Sequence, residues 1–316
     1  RLNAITLLST LAAARPKRVG RVILECHAGM MKLMRILEDR EEEVRNLLLV
    51  LLLSLTRSNV EVQNYCAFNE CFDHFWGIMQ QEGVWDGDAV VHDCLCILAN
   101  IVARNEMTGK LFMLSRCGSE LQQIVRPDPS RRSEHGDDWL VIARAQCVVA
   151  HLVRYNADNV TATGGDDMVC ELRRRRVAQL AQIQSQLADS GYLVAICGVA
   201  LDHVAAAVVV PLEDEVDVDA ANAKARRSVE MQPAALRLLG NMVRGCARAQ
   251  RLLNDDDATF APQESMLRMP VASCLVQMSI DPTFKKRVRD AAVFAFHAFL
   301  HGNADGVVKL LGHVIA

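Results

Sequence analysis

The sequence predicts an all-α protein, built as an α-solenoid of helical repeats. Its 316 residues include only 17 Gly and 8 Pro, and aromatic residues make up 5%. This composition, rich in Leu, Ala, Val and Arg, favours helices over sheet. Hydrophobic residues make up 51%, which is enough to bury a sizeable core. The third observation is a repeat in the way the helical segments end.

Five helical segments end in a similar way along the chain. Their last residues are Asn59, Asn105, Asn156, Cys246 and Asn303. The intervals between them are 46, 51, 90 and 57 residues, and we interpret the interval of 90 as two units. A period of about 40–47 residues containing two or three helices is typical of armadillo and HEAT arrays. The sequence therefore predicts an armadillo/HEAT-like array.

Local signals support helices at this spacing. The acidic run Glu41–Glu43 suits a helix start, where the macrodipole is positive. The following segment, Val44–Thr56, is apolar nearly all round, so we expect it inside the array. Gly29, Gly83 and Gly191 fall at breaks between periodic segments.

We expect one head domain over residues 1–316, with flexible insertions near 126–138, 157–167 and 211–230. A division into two domains near 130–165 is the alternative. The chain begins at Arg1 and lacks a long heptad run, so we expect it to be a fragment of a longer protein.

Charge and cysteine content narrow the class of protein. A net charge of −3 and a pI near 6.3 argue against nucleic acid as a partner. The 11 Cys lie mostly in apolar helical patterns, as reduced thiols of a cytoplasmic protein do. The apolar stretches Leu47–Leu53 and Leu193–Leu212 are interpreted as buried helices, because one is too short for a membrane and the other contains Asp202 and His203.

No pattern in the sequence predicts chemistry. A zinc site would need four convergent ligands, and neither Cys66-x4-Cys71-x2-His74 nor the segment from His92 to Cys96 supplies them. We expect His92 and Asp93 to diverge on their helix rather than form a catalytic pair. No phosphate-binding loop or nucleophile elbow is present. We therefore expect no enzyme activity, no cofactor and no metal. The basic run Arg173–Arg176 is interpreted as a solvated face, and the alternative is a surface for an anionic partner or a membrane.

The repeat places polar residues at equivalent helix positions, which we call the ladder. The ladder positions five residues before each ending are Ser54, Asn100, His151, Asn241 and Ala298, and those two residues before are Arg57, Ala103, Arg154, Arg244 and His301. Rows of this kind could bind an extended partner segment. We predict partner-binding roles for Arg57, Asn100, Arg104, His151, Arg154, Asn241 and Arg244. The alternative is that cations near helix C-termini only satisfy carbonyls and the dipole.

A resemblance to a known family adds to this reading. The residues that carry it are Arg45-Asn46, Leu55–Asn59, Gln63, Ala67-Phe68, Phe72, Ile78, Glu82-Gly83, Asp86-Gly87, Val90-Val91, Asp93–Leu95, Leu98, Asn100 and Asn105. Similarity returns at Val243–Cys246, at Gln250 and between 289 and 311. In these residues the chain resembles the globular head of the general vesicular transport factor family, which tethers Golgi vesicles. It departs at Thr108-Gly109, where the family has Asn-Gln.

The resemblance implies an armadillo head that works by binding. It implies a Rab-type small GTPase, SNARE proteins and other tethering proteins as partners, and a homodimer held by a coiled coil outside this sequence. It implies a cytoplasmic protein, peripheral on Golgi and ER-to-Golgi membranes. The alternative function is a cytosolic armadillo adaptor or scaffold for extended peptides. Such adaptors usually show a regular Trp/Asn ladder, whereas Trp76, Trp85 and Trp139 are not at equivalent positions.

Overall fold

The structure is a computed structural model that describes residues 1–39, 41–84, 89–103, 105–125, 138–153, 167–206, 218–254 and 271–308. All regular secondary structure in these residues is helical, which confirms the predicted fold class. The helices fall into two compact units that divide after Leu152. One continuous head domain stays a prediction, and each unit is described by itself.

The first unit contains eleven α-helices in its described residues. They are α1 Leu2–Ala14, α2 Pro16–Glu25, α3 Gly29–Met34, α4 Glu42–Thr56, α5 Val60–Phe68, α6 Cys71–Gln81, α7 Ala89–Val102, α8 Glu106–Leu114, α9 Arg116–Glu120, α10 Gln122–Val125 and α11 Asp138–Leu152. A 3₁₀ turn, Arg35–Glu38, extends α3.

These helices form three-helix repeats: a short first helix, a second helix, and a long third helix. The sets are α2 to α4, α5 to α7, and α8 to α11, in which α9 and α10 together take the place of the second helix. The long helices α1, α4, α7 and α11 pack side by side in chain order, and the first helices α5 and α8 pack on each other. As predicted, α4 is buried on most sides, with Leu48, Leu51, Leu52 and Leu55 fully covered.

The second unit repeats the same plan with longer helices. They are α12 Asp167–Asp189, α13 Tyr192–Ala206, α14 Val218–Val243, α15 Ala247–Asn254, α16 Val271–Ile280 and α17 Lys286–Leu300. First helices pack on first helices (α12 on α15), second on second (α13 on α16) and third on third (α14 on α17). The interval of 90 residues thus holds one enlarged set in the described residues, and our interpretation of it as two units is wrong.

The predicted insertions fall largely outside the described residues. Helix α14 begins at Val218, so the third predicted insertion, 211–230, is helical in its second half. The segment Ala220–Arg227 is rich in Ala, Lys and Arg, which are strong helix formers.

In three repeats the turn between the first and second helix uses one left-handed residue, whereas the turn from α8 to α9 passes through Ser115 with φ of −80°. Ala28 follows α2 and Glu70 follows α5, each with φ of 56°, and Gly191 follows α12 with φ of 84°. Only Gly adopts this conformation without steric cost. This left-handed turn, which we call the corner, therefore recurs although the residue in it changes from Ala to Glu to Gly. No sequence pattern predicts it.

The three Asn endings that lie in the described residues are helix N-caps. Asn59 Oδ1 accepts from the backbone N–H of Glu61 and Val62 at 3.1 and 3.3 Å. Asn105 Oδ1 accepts from Thr108 N at 3.4 Å, and Asn303 Oδ1 from Gly306 N at 3.0 Å. Asn is favoured at this position because its side chain satisfies N–H groups that lack a partner within the helix. The repeat detected in the sequence is thus a repeat of cap residues.

The last carbonyls of the long helices accept side-chain donors that we call clasps. Gln63 Nε2 donates to Thr56 O at 2.7 Å, Thr108 Oγ1 to Ile101 O at 2.6 Å, Gln184 Nε2 to Asn241 O at 2.6 Å, and Gln250 Nε2 to His301 O at 2.8 Å. All four clasp side chains are buried. Each clasp satisfies a carbonyl that the helix end leaves open.

Candidate functional site

The face formed by the long helices of the first unit carries an open cleft. It lies between α1, α4 and α7 and has a volume of about 520 Å³. Its lining residues are Leu2, Glu43, Asn46, Leu47, Leu49, Val50, Ala89, Val90 and Asp93. Apolar side chains form the floor, and two carboxylates give the cleft an acidic character.

Asn46 lines this cleft and carries an unsatisfied polar atom. Its Oδ1 is buried and has no hydrogen-bond partner among the described residues. A buried acceptor without a donor is costly, so this oxygen weakens the packing at the wall of the cleft. Glu43 is exposed and Asp93 is half-buried, so both can face a bound cation.

Next to the cleft, α7 and α11 are joined by a polar cluster. Arg144 Nε on α11 donates to His92 Nε2 at 2.9 Å. Because a guanidinium only donates, this bond requires an unprotonated Nε2. The His92 Nδ1 to Asp93 Oδ1 distance is 3.7 Å, so the two side chains lie closer than we expected but are not hydrogen-bonded as a base and its orienting acid would be. The two Cβ atoms point in different directions on the helix, but the side-chain torsions bring the imidazole and the carboxylate towards each other.

The ladder residues of the first unit lie at the C-terminal ends of the long helices. Arg57 directly follows α4 and is exposed. Asn100 on α7 is half-buried, and its Nδ2 lies 3.3 Å from Thr56 Oγ1 and 3.4 Å from Leu53 O on α4. His151 on α11 is half-buried and also makes interactions within the chain. Asn100 therefore links two consecutive long helices.

The remaining residues predicted to bind a partner lie either in the second unit or outside the described residues. Asn241 and Arg244 are half-buried at the end of α14, where their carbonyls accept from Gln184 Nε2 at 2.6 and 3.4 Å. Arg104 and Arg154 lie outside the described residues. The two units thus each hold part of the predicted set, and partner binding by these residues stays a prediction.

The cysteines of the described residues are mostly buried. Burial raises the pKa of the Cys66 thiol to about 12, and it also raises the pKa of Cys71 and Cys197. A thiol held protonated in this way is a poor nucleophile and a poor metal ligand. In the part of the chain that the structure describes, no three His, Cys, Asp or Glu side chains converge as a metal site. Cys26 and Cys147 are exposed.

The basic run in α12 is partly neutralised within its own helix. Arg175 Nε donates to Glu171 Oε1 at 3.0 Å, and Arg174 is exposed beside it. This agrees with the expected solvated face. Across the described residues, no helix combines the length and hydropathy needed to cross a membrane.

Comparisons with known proteins relate part of the chain to vesicular transport proteins. General vesicular transport factor p115 of Homo sapiens is 35% identical over 124 residues, which are 39% of this chain and 13% of that protein. Intracellular protein transport protein USO1 of Saccharomyces cerevisiae is 29% identical over 113 residues, 36% of this chain and 6% of that protein. No profile of a known protein family matches the chain.

The chain is a relative of the general vesicular transport factors. The match spans only 13% of the human factor, so it relates this chain to a small part of a much longer protein. Golgin candidate 6 of Arabidopsis thaliana is 38% identical over 95 residues, or 30% of the chain. The resemblance found in the sequence is therefore confirmed.

Solved structures support the fold of this relative of the vesicular transport factors. The crystal structure of Uso1-2 aligns with 98% of this chain and 42% of its own length, with a TM-score of 0.72 and 21% identity. A designed armadillo repeat protein in complex with peptide (KR)4 aligns with 94% of this chain and 92% of its own length, with a TM-score of 0.56 and 15% identity. Both confirm an armadillo-like solenoid.

Sequence reasoning missed the cleft and the clasps. The cleft requires residues from three helices, and no local pattern brings Leu2, Asn46 and Asp93 together. The clasps had a visible signal, because Gln63 and Gln250 each lie four residues after a helix ending. A buried Gln at a fixed distance from a cap could have been predicted to bond a nearby helix end.

Proposed function

We propose that this chain is part of the head of a vesicle tether acting in ER-to-Golgi and intra-Golgi transport. The observation that carries the proposal is its sequence relation to the general vesicular transport factors, together with an armadillo-like fold. The head works by binding proteins and performs no chemistry. It acts on the cytoplasmic side, peripheral to Golgi and ER-to-Golgi membranes.

The partners proposed are a Rab-type small GTPase, SNARE proteins and other tethering proteins. A coiled coil beyond this sequence would supply homodimerisation. Armadillo-like stacks suit such partners because their long helices present rows of side chains along an extended surface. In the first unit these rows include the exposed Arg57 and the acidic cleft near Glu43 and Asp93.

We assign partner binding to six ladder residues and to Arg104, which lies beside the ladder. The seven residues are Arg57, Asn100, Arg104, His151, Arg154, Asn241 and Arg244. The ladder arginines can pair with acidic side chains of a partner, where bidentate bonds give both affinity and orientation. Asn100 contributes less freely, because its amide already lies near Thr56 Oγ1 at 3.3 Å. Charge at Arg57, Arg154 and Arg244 is therefore the first property to test.

The test is a transport assay in permeabilised cells. Excess purified chain should inhibit transfer of a cargo from ER to Golgi, because it occupies partners that the resident tether needs. The variant Arg57→Glu/Arg154→Glu/Arg244→Glu should inhibit far less at unchanged helicity. A matched charge control is Lys285→Glu/Lys286→Glu/Arg287→Glu at the exposed start of α17. Absence of inhibition by the unmodified chain would refute the proposal.

A second candidate is an armadillo adaptor for basic extended peptides. The cleft favours it, because Glu43 and Asp93 give its lining an acidic character. A fluorescent peptide of alternating Lys and Arg separates the two functions. Tight binding that Glu43→Gln/Asp93→Asn abolishes, without any effect of the chain on transport, would favour the adaptor.

A further inference from the structure

The first 35 residues have a charge balance unlike that of the chain as a whole. They contain seven Lys and Arg and one acidic residue, Glu25, whereas the whole chain has a net charge of −3. Arg1 is paired with Asp39 at 2.6 Å. The other six cations lie on α2, on α3 and at their ends: Arg15, Lys17, Arg18, Arg21, Lys32 and Arg35. We call these six residues the basic patch.

The basic patch is exposed and unpaired. All six residues are exposed, and within the described part of the chain none forms an ion pair with an acid. Elsewhere some exposed cations are paired, as in Lys110–Glu106 at 2.9 Å and Arg248–Asp189 at 2.7 Å, and others, such as Arg57 and Lys286, are not. The basic patch differs because six exposed cations lie together on two packed helices and none of them is paired in the described part of the chain.

Packing fixes which way the patch faces. Gly20 packs so closely on α5 that a Cβ there would lie 2.5 Å from Asn59 Nδ2, and Ile23 is buried. Lys17, Arg18 and Arg21 are spaced three and four residues apart on the other side of α2 and so share one face. Helix α3 packs on α2, buries Met30 and Leu33, and leaves Lys32 outward.

The arrangement suits a surface of many anions better than a single one. The six cations are spread along two helices and do not converge on a pocket. Two apolar side chains are exposed among them, Val22 at 53% and Met31 at 40%. Clusters of 4–8 Lys and Arg bind anionic lipid headgroups by summed attraction, and apolar side chains add contact at the interface.

We propose that the basic patch docks the chain directly on an anionic phospholipid bilayer. The contact is peripheral, because the apolar sides of α2 and α3 are already buried in the fold. The choice of a membrane rests on the proposed tethering function. The docking supplements protein partners and orients the first unit with α2 and α3 toward the lipid.

The experiment is flotation of the purified chain with vesicles. Phosphatidylcholine vesicles are compared with vesicles that also contain phosphatidylserine, at low salt and at high salt. We expect binding only to the anionic vesicles, and loss of that binding as salt screens the charges. Equal binding to both vesicles, or no binding to either, would overturn the proposal.

Charge-reversal variants identify the surface. Lys17→Glu/Arg18→Glu/Arg21→Glu should lower binding to anionic vesicles at least about tenfold, since each cation near such a surface contributes a several-fold factor. New Glu residues in the first turns of α2 complement the helix dipole, so the variant should fold. The control Lys285→Glu/Lys286→Glu/Arg287→Glu changes net charge equally and should retain binding. An equal loss in both variants would contradict the assignment.

Single charge reversals show whether the basic patch binds a membrane surface, one anion or an acidic protein. On a bilayer, Lys17→Glu, Arg21→Glu and Lys32→Glu should each cause a similar partial loss. Poly-glutamate serves as a substitute for an acidic protein, and we expect it to compete only weakly with anionic vesicles for the chain. Strong binding of the chain to poly-glutamate without binding to vesicles would indicate an acidic protein partner and overturn the proposal. The transport assay is separate, so inhibition of transport without vesicle binding would leave the tethering function standing and reject only the docking.

Discussion

The two compact units use one three-helix repeat but clasp their long helices in opposite directions. In the first unit, Gln63 and Thr108 reach back seven residues to the long helix that precedes them. In the second unit, Gln184 and Gln250 reach forward by 57 and 51 residues to the long helix that closes their own repeat. Gln63 and Gln250 follow their helix endings by the same four residues.

This difference shows which feature of the repeat is fixed. The requirement is a buried donor for the last carbonyls of each long helix, because an unsatisfied buried carbonyl is costly. The direction from which the donor comes varies. The second unit has long helices of up to 26 residues, and its clasps join the first and third helices of one repeat. The first unit instead joins each repeat to the next.

The units can be followed separately during unfolding. All three Trp, at positions 76, 85 and 139, belong to the first unit, so Trp fluorescence reports on it. Cys197 is fully buried in the second unit and reports on that unit by its protection from thiol reagents. Urea titrations read by these two probes can assign each substitution to one unit.

The largest effect is expected where α14 and α17 approach each other in the second unit. A Cβ at Gly240 would lie 2.7 Å from Phe294 Cε1 and 3.1 Å from Ala295 Cα. Gly240→Val should therefore lower the free energy of unfolding of the second unit by about 2–3 kcal/mol, through overpacking. The control Gly77→Val in the first unit meets nothing within 4 Å and should cost less than about 0.5 kcal/mol. Equal effects would contradict the packing described.

The clasps give the next largest effect and test the comparison itself. Gln184→Leu removes the donor to Asn241 O and should cost the second unit about 2 kcal/mol. Gln63→Leu should cost the first unit only about 1 kcal/mol, because it also removes Oε1, a buried acceptor without a partner among the described residues. A larger loss for Gln63→Leu than for Gln184→Leu would reverse the predicted order.

Substitutions at the left-handed corners should change the free energy of unfolding of the two units in opposite directions. Gly191→Ala in the second unit should cost about 1 kcal/mol, since φ of 84° is unfavourable for a residue with a Cβ. Glu70→Gly in the first unit should gain about 0.5 kcal/mol, because it removes the same strain at φ of 56°. The two midpoints in urea measure this directly, and changes of the same sign would count against a shared corner.

The smallest effects concern thiol reactivity, which should differ between the units without any mutation. Cys26 and Cys147 of the first unit are exposed and should react with maleimide within minutes, as read by peptide mass spectrometry. Burial raises the pKa of Cys66 to about 12, so this thiol stays protonated even at pH 9 and should remain unlabelled. Rapid labelling of Cys66 or Cys197 in the native protein would show that their helices are not packed as described.

The sequence was sufficient for the fold because caps and apolar runs are local. Asn59, Asn105 and Asn303 recur since each caps the next short helix, so the repeat could be found by inspection. The single enlarged repeat between Asn156 and Cys246 was not predictable from spacing, because longer helices and additional repeats lengthen an interval alike. The pairing of Arg144 with His92 depends on the stacking of α7 on α11 and has no local signal.

The most direct test of the tethering account is affinity capture on purified Rab-type GTPases of the ER–Golgi system. The chain should bind at least one of them several-fold more tightly when it is loaded with a GTP analogue than with GDP. The preference should disappear in Arg57→Glu/Arg154→Glu/Arg244→Glu and persist in Lys285→Glu/Lys286→Glu/Arg287→Glu. Equal recovery in both nucleotide states, across all of the GTPases, would contradict the account.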